Sequence, residues 1–390
     1  MFSKIRFLTS GESHGRGLMA FIEGIPAGLS LSVNEIDADL KRRQQGHGRG
    51  GRMKIEQDSV ILISGLRWGK TLGSPISLLI ENRDWVNWQQ GMSPNGAQEG
   101  SIPPFTRPRP GHADLSGALK YGHNDIRNVL ERSSARETAA RVAAGAVAKK
   151  FLSEFGITVG SYVLSIGSAA MKNSLPAADA NLFALADSSP VRCPDADSSA
   201  KMVELIDMAS EKGDTLGGTF SIIVSGVPVG LGSHTQWDKK LNARLMMAVS
   251  SIQAIKGVEI GLGFESARKF GSEVMDEIFH SRQTGFYRMS NNSGGIEGGM
   301  SNGMPLVITA AMKPIPTLKK SMRSVDIVSG EAVEAAYERS DTCAVPAASI
   351  VGEAMTALCV ADAFLEKFGG DSINEVKRNF SARIDDIAKL

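Results

Sequence analysis

The sequence predicts an α/β protein with two related halves, each of which places a β-sheet against helices. Strand-like and helix-like segments are interspersed along the whole chain of 390 residues. A turn motif occurs twice, as Gly24-Ile-Pro-Ala-Gly-Leu29 and as Gly226-Val-Pro-Val-Gly-Leu231. In each copy an apolar strand precedes the motif. Pro fixes its own φ angle in the turn, and Gly permits a positive φ. We therefore expect one domain with halves at roughly 1–200 and 201–390.

Strands are predicted where β-branched residues are frequent or where apolar and polar residues alternate. The predicted strands are Lys4–Thr9, Leu18–Glu23, Ser59–Ser64, Ile76–Glu81, Thr158–Ser165, Thr219–Ser225 and Pro305–Met312. They fall in both parts of the chain, which favours a sheet in each half.

Helices are predicted from the spacing of apolar residues. The predicted helices are Val33–Gln45, Ser134–Glu154, Ala200–Glu211, Lys239–Ile255, Ala348–Lys367 and Ile373–Lys389. Two begin with a capping-box pattern, Ser32 with Glu35 and Ser134 with Glu137, which would satisfy the free amides of the first turn.

Small residues recur on one face of the helix that follows Ser134. They are Ala139, Val142, Ala143, Ala146 and Val147. A face of small residues lets another element approach closely, so we expect this helix to be central and buried.

Composition argues against several classes of protein. The chain has 43 Lys plus Arg against 42 Asp plus Glu, so it lacks the basic excess of proteins that coat nucleic acid. No apolar run approaches the roughly 18 residues of a membrane span. Cys193, Cys343 and Cys359 have no CxxC spacing, which argues against a disulfide framework or a zinc site. We expect a reducing, cytoplasmic compartment and no metal, nucleic acid or membrane partner.

One stretch, Lys41–Arg52, is nevertheless densely basic, with the sequence KRRQQGHGRGGR and no acidic residue. Local positive charge in a near-neutral protein suits a small, highly charged anion. A solvated loop is the plain alternative. An RNA-binding surface is another, although only 6% of residues are aromatic and could provide stacking platforms.

Two histidines lie in polar turns bounded by glycine, His14 in Gly11-Glu-Ser-His-Gly15 and His112 in Arg109-Pro-Gly-His-Ala-Asp114. Histidine is the usual general acid near neutral pH, so both are candidate catalytic residues beside packed or surface roles. His47 belongs to the basic stretch. The histidines predicted to be structural are His123, His234 and His280.

Two further segments suggest an anion site. Glu131-Arg-Ser-Ser-Ala-Arg-Glu-Thr138 places Arg132 and Arg136 at a predicted helix start, where free amides and arginine forks bind phosphate or carboxylate. A well-capped helix is the alternative interpretation. His280–Gly303 is rich in glycine, so its backbone would approach a flat or phosphorylated ligand closely. Walker A and HExxH motifs do not occur in the sequence, and the residues by themselves do not identify the reaction.

The chain resembles the chorismate synthase family along essentially its whole length. Seven pieces in the family's order carry the resemblance, and together they are far more specific than any one of them. The pieces are Gly11-Glu-Ser-His-Gly15, the arginine segment ending in Gly48-Arg-Gly-Gly-Arg52, Arg109-Pro-Gly-His-Ala-Asp114, Glu131-Arg-Ser-Ser-Ala-Arg-Glu-Thr138, Gly294-Gly-Ile-Glu-Gly-Gly299, Lys313-Pro-Ile-Pro-Thr317 and Arg339-Ser-Asp341.

The resemblance implies a lyase that converts 5-enolpyruvylshikimate 3-phosphate to chorismate in the shikimate pathway, which supplies the aromatic amino acids. The implied reaction is an anti-1,4-elimination of phosphate and a ring proton, with reduced FMN and no net redox change. The substrate carries two carboxylates and a phosphate, and FMN adds another phosphate. These are the anions that the basic stretch would meet.

The resemblance also implies roles for individual residues. His14 would protonate the departing phosphate, His112 would serve the protonation state of the reduced flavin, and Asp341 would help relay the ring proton. The implied FMN contacts are Arg132, Ser133, Ser134, Gln253, Ala254, Gly298, Lys313, Pro314, Ile315, Pro316, Thr317 and Arg339. The implied contacts with substrate or NADP(H) are Arg43, Arg49, Arg52 and Arg136.

The implied fold is an α/β sandwich, in which antiparallel sheets flank a helical core and the halves are related by a pseudo-twofold axis. A homotetramer is the implied assembly. NADPH is the implied reductant in members that reduce their own flavin. A flavin reductase that uses the same FMN site is therefore the alternative enzyme class.

Overall fold

The chain folds into two antiparallel β-sheets that enclose a layer of helices. The computed structural model describes residues 3–50, 55–172, 180–320, 322–338 and 340–387. This arrangement confirms the predicted α/β class with antiparallel sheets around a helical core.

The described strands are β1 Arg6–Ser10, β2 Gly17–Glu23, β3 Val60–Ser64, β4 Leu66–Arg67, β5 Lys70–Thr71, β6 Ile76–Glu81, β7 Thr158–Ile166, β8 Ala169–Ala170, β9 Gly218–Ser225, β10 Ile255–Ile260, β11 Ile278–Ser281, β12 Gly285–Arg288, β13 Ile296–Glu297, β14 Met300–Ser301, β15 Leu306–Met312, β16 Arg323–Val325 and β17 Ala332–Glu334. The strands of the two main sheets are hydrogen-bonded in the orders β1-β2-β6-β3 and β10-β15-β9-β7-β8. Short two-stranded pairs join β4 to β5, β11 to β12, β13 to β14 and β16 to β17.

The helices lie between the sheets and at the edges of the sandwich. The described α-helices are α1 Val33–Gln44, α2 Asp114–Tyr121, α3 Arg127–Ser133, α4 Thr138–Ser153, α5 Ala180–Ser188, α6 Ala196–Glu211, α7 Leu241–Ser250, α8 Gly271–Val274, α9 Val345–Phe368 and α10 Ile373–Ile387. The described 3-10 helices are Arg83–Asn87, Gly96–Gln98, Ala135–Glu137, Trp237–Lys239 and Gly263–Arg268.

The helices α4 and α9 form the centre of the helical layer. α4 packs on β2 and β6, α9 packs on β7 and β9, and the two helices contact each other. Gly145 permits this contact, because a Cβ at Gly145 would lie 2.3 Å from the Cβ of Ala354. The predicted small face of α4 is buried, which confirms a central helix. α9 is long and apolar enough to span a membrane by composition, but its apolar window is buried within the protein, as in a core helix.

A buried ionic cluster joins three helices. The carboxylate of Glu353 in α9 accepts hydrogen bonds from Arg42 of α1 at 2.8 and 2.9 Å, and from Lys149 of α4 at 2.9 Å. Burial raises the pKa of Glu353, but the charges of Lys149 and Arg42 outweigh burial and hold it well below its usual range. Because a buried charge is stable only when paired, the cluster fixes α1, α4 and α9 relative to one another.

The order of the main elements repeats along the chain. The run β1, β2, α1, β3, β6, α4 is followed by the run β7, β9, α7, β10, β15, α9. In both sheets the strands of a run lie in the order first, second, fourth, third. β7 precedes residue 200 but pairs with β9, which follows it, so the sheets divide the chain between Ser153 and Thr158. The boundary expected near residue 200 therefore does not match the sheets, and the halves as structural units stay a prediction.

The two copies of the turn motif are held by the same contacts. In the first copy the Thr71 hydroxyl donates to the Pro26 carbonyl at 2.6 Å and accepts from the Leu29 amide at 2.9 Å. In the second copy the Ser301 hydroxyl makes the matching pair of bonds at 2.6 and 2.8 Å. Each turn is therefore fixed by one hydroxyl from a short strand further along the chain, β5 for the first copy and β14 for the second.

The predicted strands and helices are all present, and the strand ends differ from the prediction by at most two residues. Helix ends differ more, since α6 begins at Ala196 and α7 covers only Leu241–Ser250. The last residues of the helix predicted to reach Lys389 lie outside the described range. The prediction did not include α2, α3, α5, α8, β10 or the short strands β4, β5, β8, β11 to β14, β16 and β17.

The two predicted capping boxes have different outcomes. The box that begins at Ser32 is confirmed. The box at Ser134 is wrong, because its hydroxyl accepts from the amide two residues later and starts a 3-10 turn. The carboxylate of Glu137 does not return to the cap, since it is bound by Arg141 at 2.9 Å and by the Thr9 hydroxyl at 2.6 Å.

The three cysteines are buried and free. Burial raises the pKa of the Cys193 and Cys343 thiols to about 11 and the pKa of the Cys359 thiol to about 12. All three thiols are therefore protonated at neutral pH.

We predict that Gly24→Ala and Gly226→Ala each lower the free energy of unfolding by about 2–4 kcal/mol, since each combines a strained backbone with a clash. The added Cβ would lie 1.9 Å from the Lys4 carbonyl oxygen or 2.3 Å from the Gly156 carbonyl oxygen. Denaturant unfolding followed by circular dichroism measures the change. Gly122→Ala is the control, because Gly122 has a φ of 69° but open space around it. If the free energy of unfolding fell equally in all three variants, the close contacts of Gly24 and Gly226 with backbone carbonyl oxygens would not be the cause.

Candidate active site

A cavity of about 870 Å³ opens where four helix ends meet. Its wall includes Arg43 near the end of α1, Thr138 at the start of α4, Ser251 directly after α7 and Ala344 directly before α9. The amino termini of α4 and α9 therefore border the same space. Their partial positive charges favour an anionic ligand there.

Most of the predicted site residues line this cavity. They are His14, Arg43, Arg49, His112, Ser133, Ser134, Arg136, Gln253, Ala254, Lys313, Ile315, Pro316, Thr317 and Asp341. The fold thus brings together residues from both runs of secondary structure. Pro314 lies between two wall residues without lining the cavity, and Arg52 and Arg339 lie outside the described residues.

Arg132 lies at the end of α3 and does not line the described wall. Its guanidinium donates to the carbonyl oxygens of Thr9 at 2.7 Å and Gly11 at 3.3 Å. The prediction that Arg132 sits at a helix start is therefore wrong, because α3 continues through Ser133 and the next helical turn begins after Ser134. In this structure Arg132 joins α3 to the turn that carries His14.

Gly298 also lies outside the described wall, in the turn between β13 and β14. The carbonyl of its neighbour Gly299 accepts from the amide of Leu241, the first residue of α7. The cavity lies at the other end of α7, and a ten-residue helix is about 15 Å long. Gly298 is therefore remote from the cavity of its own chain.

Two buried arginines share one carboxylate beside the cavity. Asp58 Oδ2 lies 3.3 Å from Arg43 Nη1, and Asp58 Oδ1 lies 2.5 Å from Arg136 Nη1. Burial lowers the pKa of Arg43 to about 10 against the opposing charge of Asp58, and Arg136 adds repulsion. Arg43 therefore stays protonated at neutral pH. Arg136 Nη2 is buried, and within the described part of the chain it has no hydrogen-bond partner.

Asp341 holds the end of the basic stretch against the cavity. Its carboxylate accepts from Arg49 Nη1 at 2.8 Å and from the Gly50 amide at 2.7 Å. The amide of Thr342 donates to the Gly48 carbonyl at 2.8 Å. Asp341 is therefore paired with a cation at the wall.

The remaining cations of the basic stretch do not form a continuous charged surface. Arg42 enters the buried ionic cluster, while Arg43 and Arg49 line the cavity. His47 Nε2 lies 2.6 Å from Asp207 Oδ1. Because the side chains diverge, the described residues offer no row of exposed cations for phosphates, and the RNA-binding alternative has no support.

His14 is held by a buried carboxylate. Its Nδ1 lies 2.8 Å from Glu131 Oε1, and its backbone amide donates to Glu131 Oε2 at 2.7 Å. Burial raises the pKa of Glu131, but the hydrogen bonds and charge of His14 outweigh burial and lower it. Glu131 is therefore ionised at neutral pH and can act only as an acceptor.

His112 is held by a second buried carboxylate. Its Nδ1 lies 2.5 Å from Asp114 Oδ1, and Arg109 donates hydrogen bonds to the same carboxylate at 2.8 and 3.0 Å. Burial raises the pKa of Asp114, but the bonds to His112 and Arg109 hold it well below its usual range. In both imidazoles Nδ1 lies closest to a carboxylate, so His14 would exchange a proton with a ligand through Nε2. Arg109 Nη2 also lies 3.1 Å from Nδ1 and 3.5 Å from Nε2 of His112.

The segments predicted to hold the cofactor meet at the cavity edge. The Lys313 amide donates to the Ala254 carbonyl at 3.0 Å. Ala254 has a φ of 67°, which is a strained conformation for alanine and is frequent at functional sites. Gln253 Nε2 donates to Glu137 at 3.1 Å, whereas its buried Oε1 has no hydrogen-bond partner among the described residues.

The described wall carries more cations than anions. The cations are Arg43, Arg49, Arg109, Arg136 and Lys313, and the anions are Asp84, Glu338 and Asp341. With the histidines neutral, the lining residues have an excess of two positive charges, and the carboxylates Asp58 and Asp114, which pair with Arg43, Arg136 and Arg109, are not part of the lining. The cavity therefore suits a small molecule with several negative charges.

Several residues that hold the site carry no assignment from sequence. Arg109 and Asp114 lie beside His112 in sequence, which is a usable signal, whereas Glu131 lies in a conspicuous motif but 117 residues from His14. Asp58 and Trp88 have no such signal, because their partners come from distant parts of the chain.

Comparison with known proteins agrees with this geometry. The family model described as chorismate synthase matches residues 5–365. The chorismate synthase of Aquifex aeolicus is 56% identical over 393 residues, which cover 98% of each chain. That of Geotalea uraniireducens is 59% identical over 388 residues, 97% of this chain and 98% of the relative. A chorismate synthase crystal structure superposes with a TM-score of 0.82 at 46% identity and covers 100% of both chains. The chain therefore belongs to the chorismate synthase family.

Proposed function

We propose that the chain catalyses the anti-1,4-elimination of phosphate and a ring proton from 5-enolpyruvylshikimate 3-phosphate, which yields chorismate. This is a carbon–oxygen lyase reaction of the shikimate pathway, and it uses reduced FMN without net redox change. One observation carries the proposal: His14 and His112, each backed by a buried carboxylate, line the same cationic cavity.

The arginines of the wall would bind the anionic groups of the substrate. Arg43 and Arg136 are fixed by Asp58, and Arg49 is fixed by Asp341. Because these cations are already held in place, they would stabilise the charge that grows on the departing phosphate with little reorganisation.

The residues of the cavity fit FMN. A volume of about 870 Å³ lies in the upper part of the roughly 300–1,000 Å³ range of ligand pockets. Gln253 Oε1 and Arg136 Nη2 are buried polar atoms without hydrogen-bond partners in the described chain, and a ligand would satisfy them. Ser133, Ser134, Gln253, Ala254 and the segment Lys313–Thr317 would hold the cofactor. When bound, reduced FMN would lend electron density to the C–O bond that breaks.

Each acid–base candidate would have its own task. His14 would give a proton to the departing phosphate, and His112 would hold a proton beside the flavin. Asp341 would help to relay the ring proton, with its charge stabilised by Arg49 and by the Gly50 amide.

We also infer a cytoplasmic homotetramer without nucleic acid or membrane partners. The outer face of the first sheet exposes Leu8, Phe21, Ile61 and Ile63, an apolar surface that association would cover. The remote position of Gly298 is the one expected if it contacts flavin bound by a neighbouring copy.

We expect phosphate and chorismate to form from 5-enolpyruvylshikimate 3-phosphate in anaerobic solution with chemically reduced FMN. The elimination consumes no electrons, so turnover should continue without further reductant. Phosphate release and chorismate absorbance measure it. A second assay in air with oxidised FMN and NADPH determines whether the chain also reduces its flavin. NADPH oxidation with no chorismate in either assay would favour the flavin reductase alternative and contradict the lyase.

We expect His14→Ala and His112→Ala to lower kcat by about 10²–10⁴-fold, the usual contribution of a general acid. KM should change by less than about threefold, because the arginines that bind the substrate remain. Steady-state kinetics with reduced FMN measures both constants. His234→Ala is the matched control, since His234 is exposed and lies outside the described wall. Near-normal kcat in both active-site variants would refute the acid roles.

A further inference from the structure

Glu131 holds both the backbone and the ring of His14. It lies near the end of α3 and is only 3% exposed. Oε2 accepts from the His14 amide at 2.7 Å, and Oε1 lies 2.8 Å from Nδ1 of the same residue. The backbone carbonyl of Glu131 also accepts from the Ser13 amide at 3.1 Å. One residue therefore controls the position of the turn and the orientation of its imidazole.

The surroundings leave the imidazole little freedom. The ring of Trp88 lies 4.3 Å from the ring of His14 at an angle of 33°. Arg127 lies 4.9 Å above the ring of Trp88, and its Nη1 is 3.5 Å from Glu131 Oε1. An ionised carboxylate has no proton to donate, so it requires the proton of His14 on Nδ1.

The other histidine has a different arrangement. The carboxylate of Asp114 accepts two hydrogen bonds from Arg109, at 2.8 and 3.0 Å, so its negative charge interacts with both Arg109 and His112. Glu131 has both carboxylate oxygens on His14, and its arginine is more distant. Glu131 is therefore the carboxylate that is dedicated to one histidine.

We propose that Glu131 is a positioning residue that orients His14 and holds one proton on Nδ1, so that the imidazolium form delivers its second proton from Nε2 to the departing phosphate and is left as the neutral Nδ1–H tautomer. This inference rests on the proposed function. In that step the C–O bond breaks with its electron pair on the phosphate, an oxygen of the phosphate takes the Nε2 proton, and the ring loses its own proton. Glu131 touches none of these reacting atoms and acts only through His14.

The substitution Glu131→Gln tests the proposal, because an amide of similar shape has one acceptor and cannot accept from both N–H groups of His14. We expect kcat to fall by about 10–100-fold with KM within about threefold, a loss no larger than that of His14→Ala. In the His14→Ala background, Glu131→Gln should lower kcat by less than about threefold more, since its partner is gone. Equal losses in both backgrounds would show a purely structural role and overturn the inference.

Two further measurements keep the outcome unambiguous. Circular dichroism establishes whether each variant folds. If Glu131→Gln does not fold, Glu131→Asp replaces it. A fall in kcat is expected for this variant too, because Asp keeps the negative charge but its side chain is shorter. Chorismate formation by the unmodified protein is measured first, and its absence would contradict the proposed function before any variant is made. Turnover by the unmodified protein, with the variant's kcat within threefold of it, would overturn the positioning role alone.

Discussion

Arg43 and Arg136 enter the same buried region, and their repulsion is tolerated because Asp58 lies between them. Removal of that carboxylate would leave Arg43 and Arg136 with only the buried carboxylate of Glu56, which lies 3.6 Å from Arg136 Nη2, and an unbalanced buried charge is strongly destabilising. The three residues come from the end of α1, the segment just before β3 and the turn before α4. One ionic contact therefore sets the distance between the first sheet, two helices and the cavity wall.

Pairing of this kind explains how a near-neutral chain concentrates positive charge at one place. Arg49 is matched by Asp341, and Arg109 by Asp114, as the two buried arginines are matched by Asp58. Each carboxylate holds a cation in position, and the amino termini of α4 and α9 add partial positive charge without a counterion of their own. The wall is thus rigid and cationic before a ligand arrives, which is the arrangement expected for stabilising charge that develops during a reaction.

Much of the fold and part of the site could be predicted from the sequence. The main strands are predictable because β2 and β15 alternate with period two and others, such as β6 and β9, are apolar runs with β-branched residues. β10 is not, because Lys256 and Glu259 interrupt its apolar pattern. The second capping box failed because Glu137 is recruited by side chains outside its own turn. The histidines stand in conspicuous local motifs. Asp58 lies 78 residues from Arg136, and such a pairing exists only once the chain has folded.

The wall of the cavity draws on most of the chain, from Ser13 to Val351 among the described residues. A polypeptide is made from its amino terminus, so both histidines and most of the cations emerge from the ribosome long before Asp341 and the start of α9. Until α9 packs against α4, these charged side chains have no enclosed space and remain hydrated. A nascent chain therefore carries nearly all the chemical groups of the site before the cavity that they line has formed.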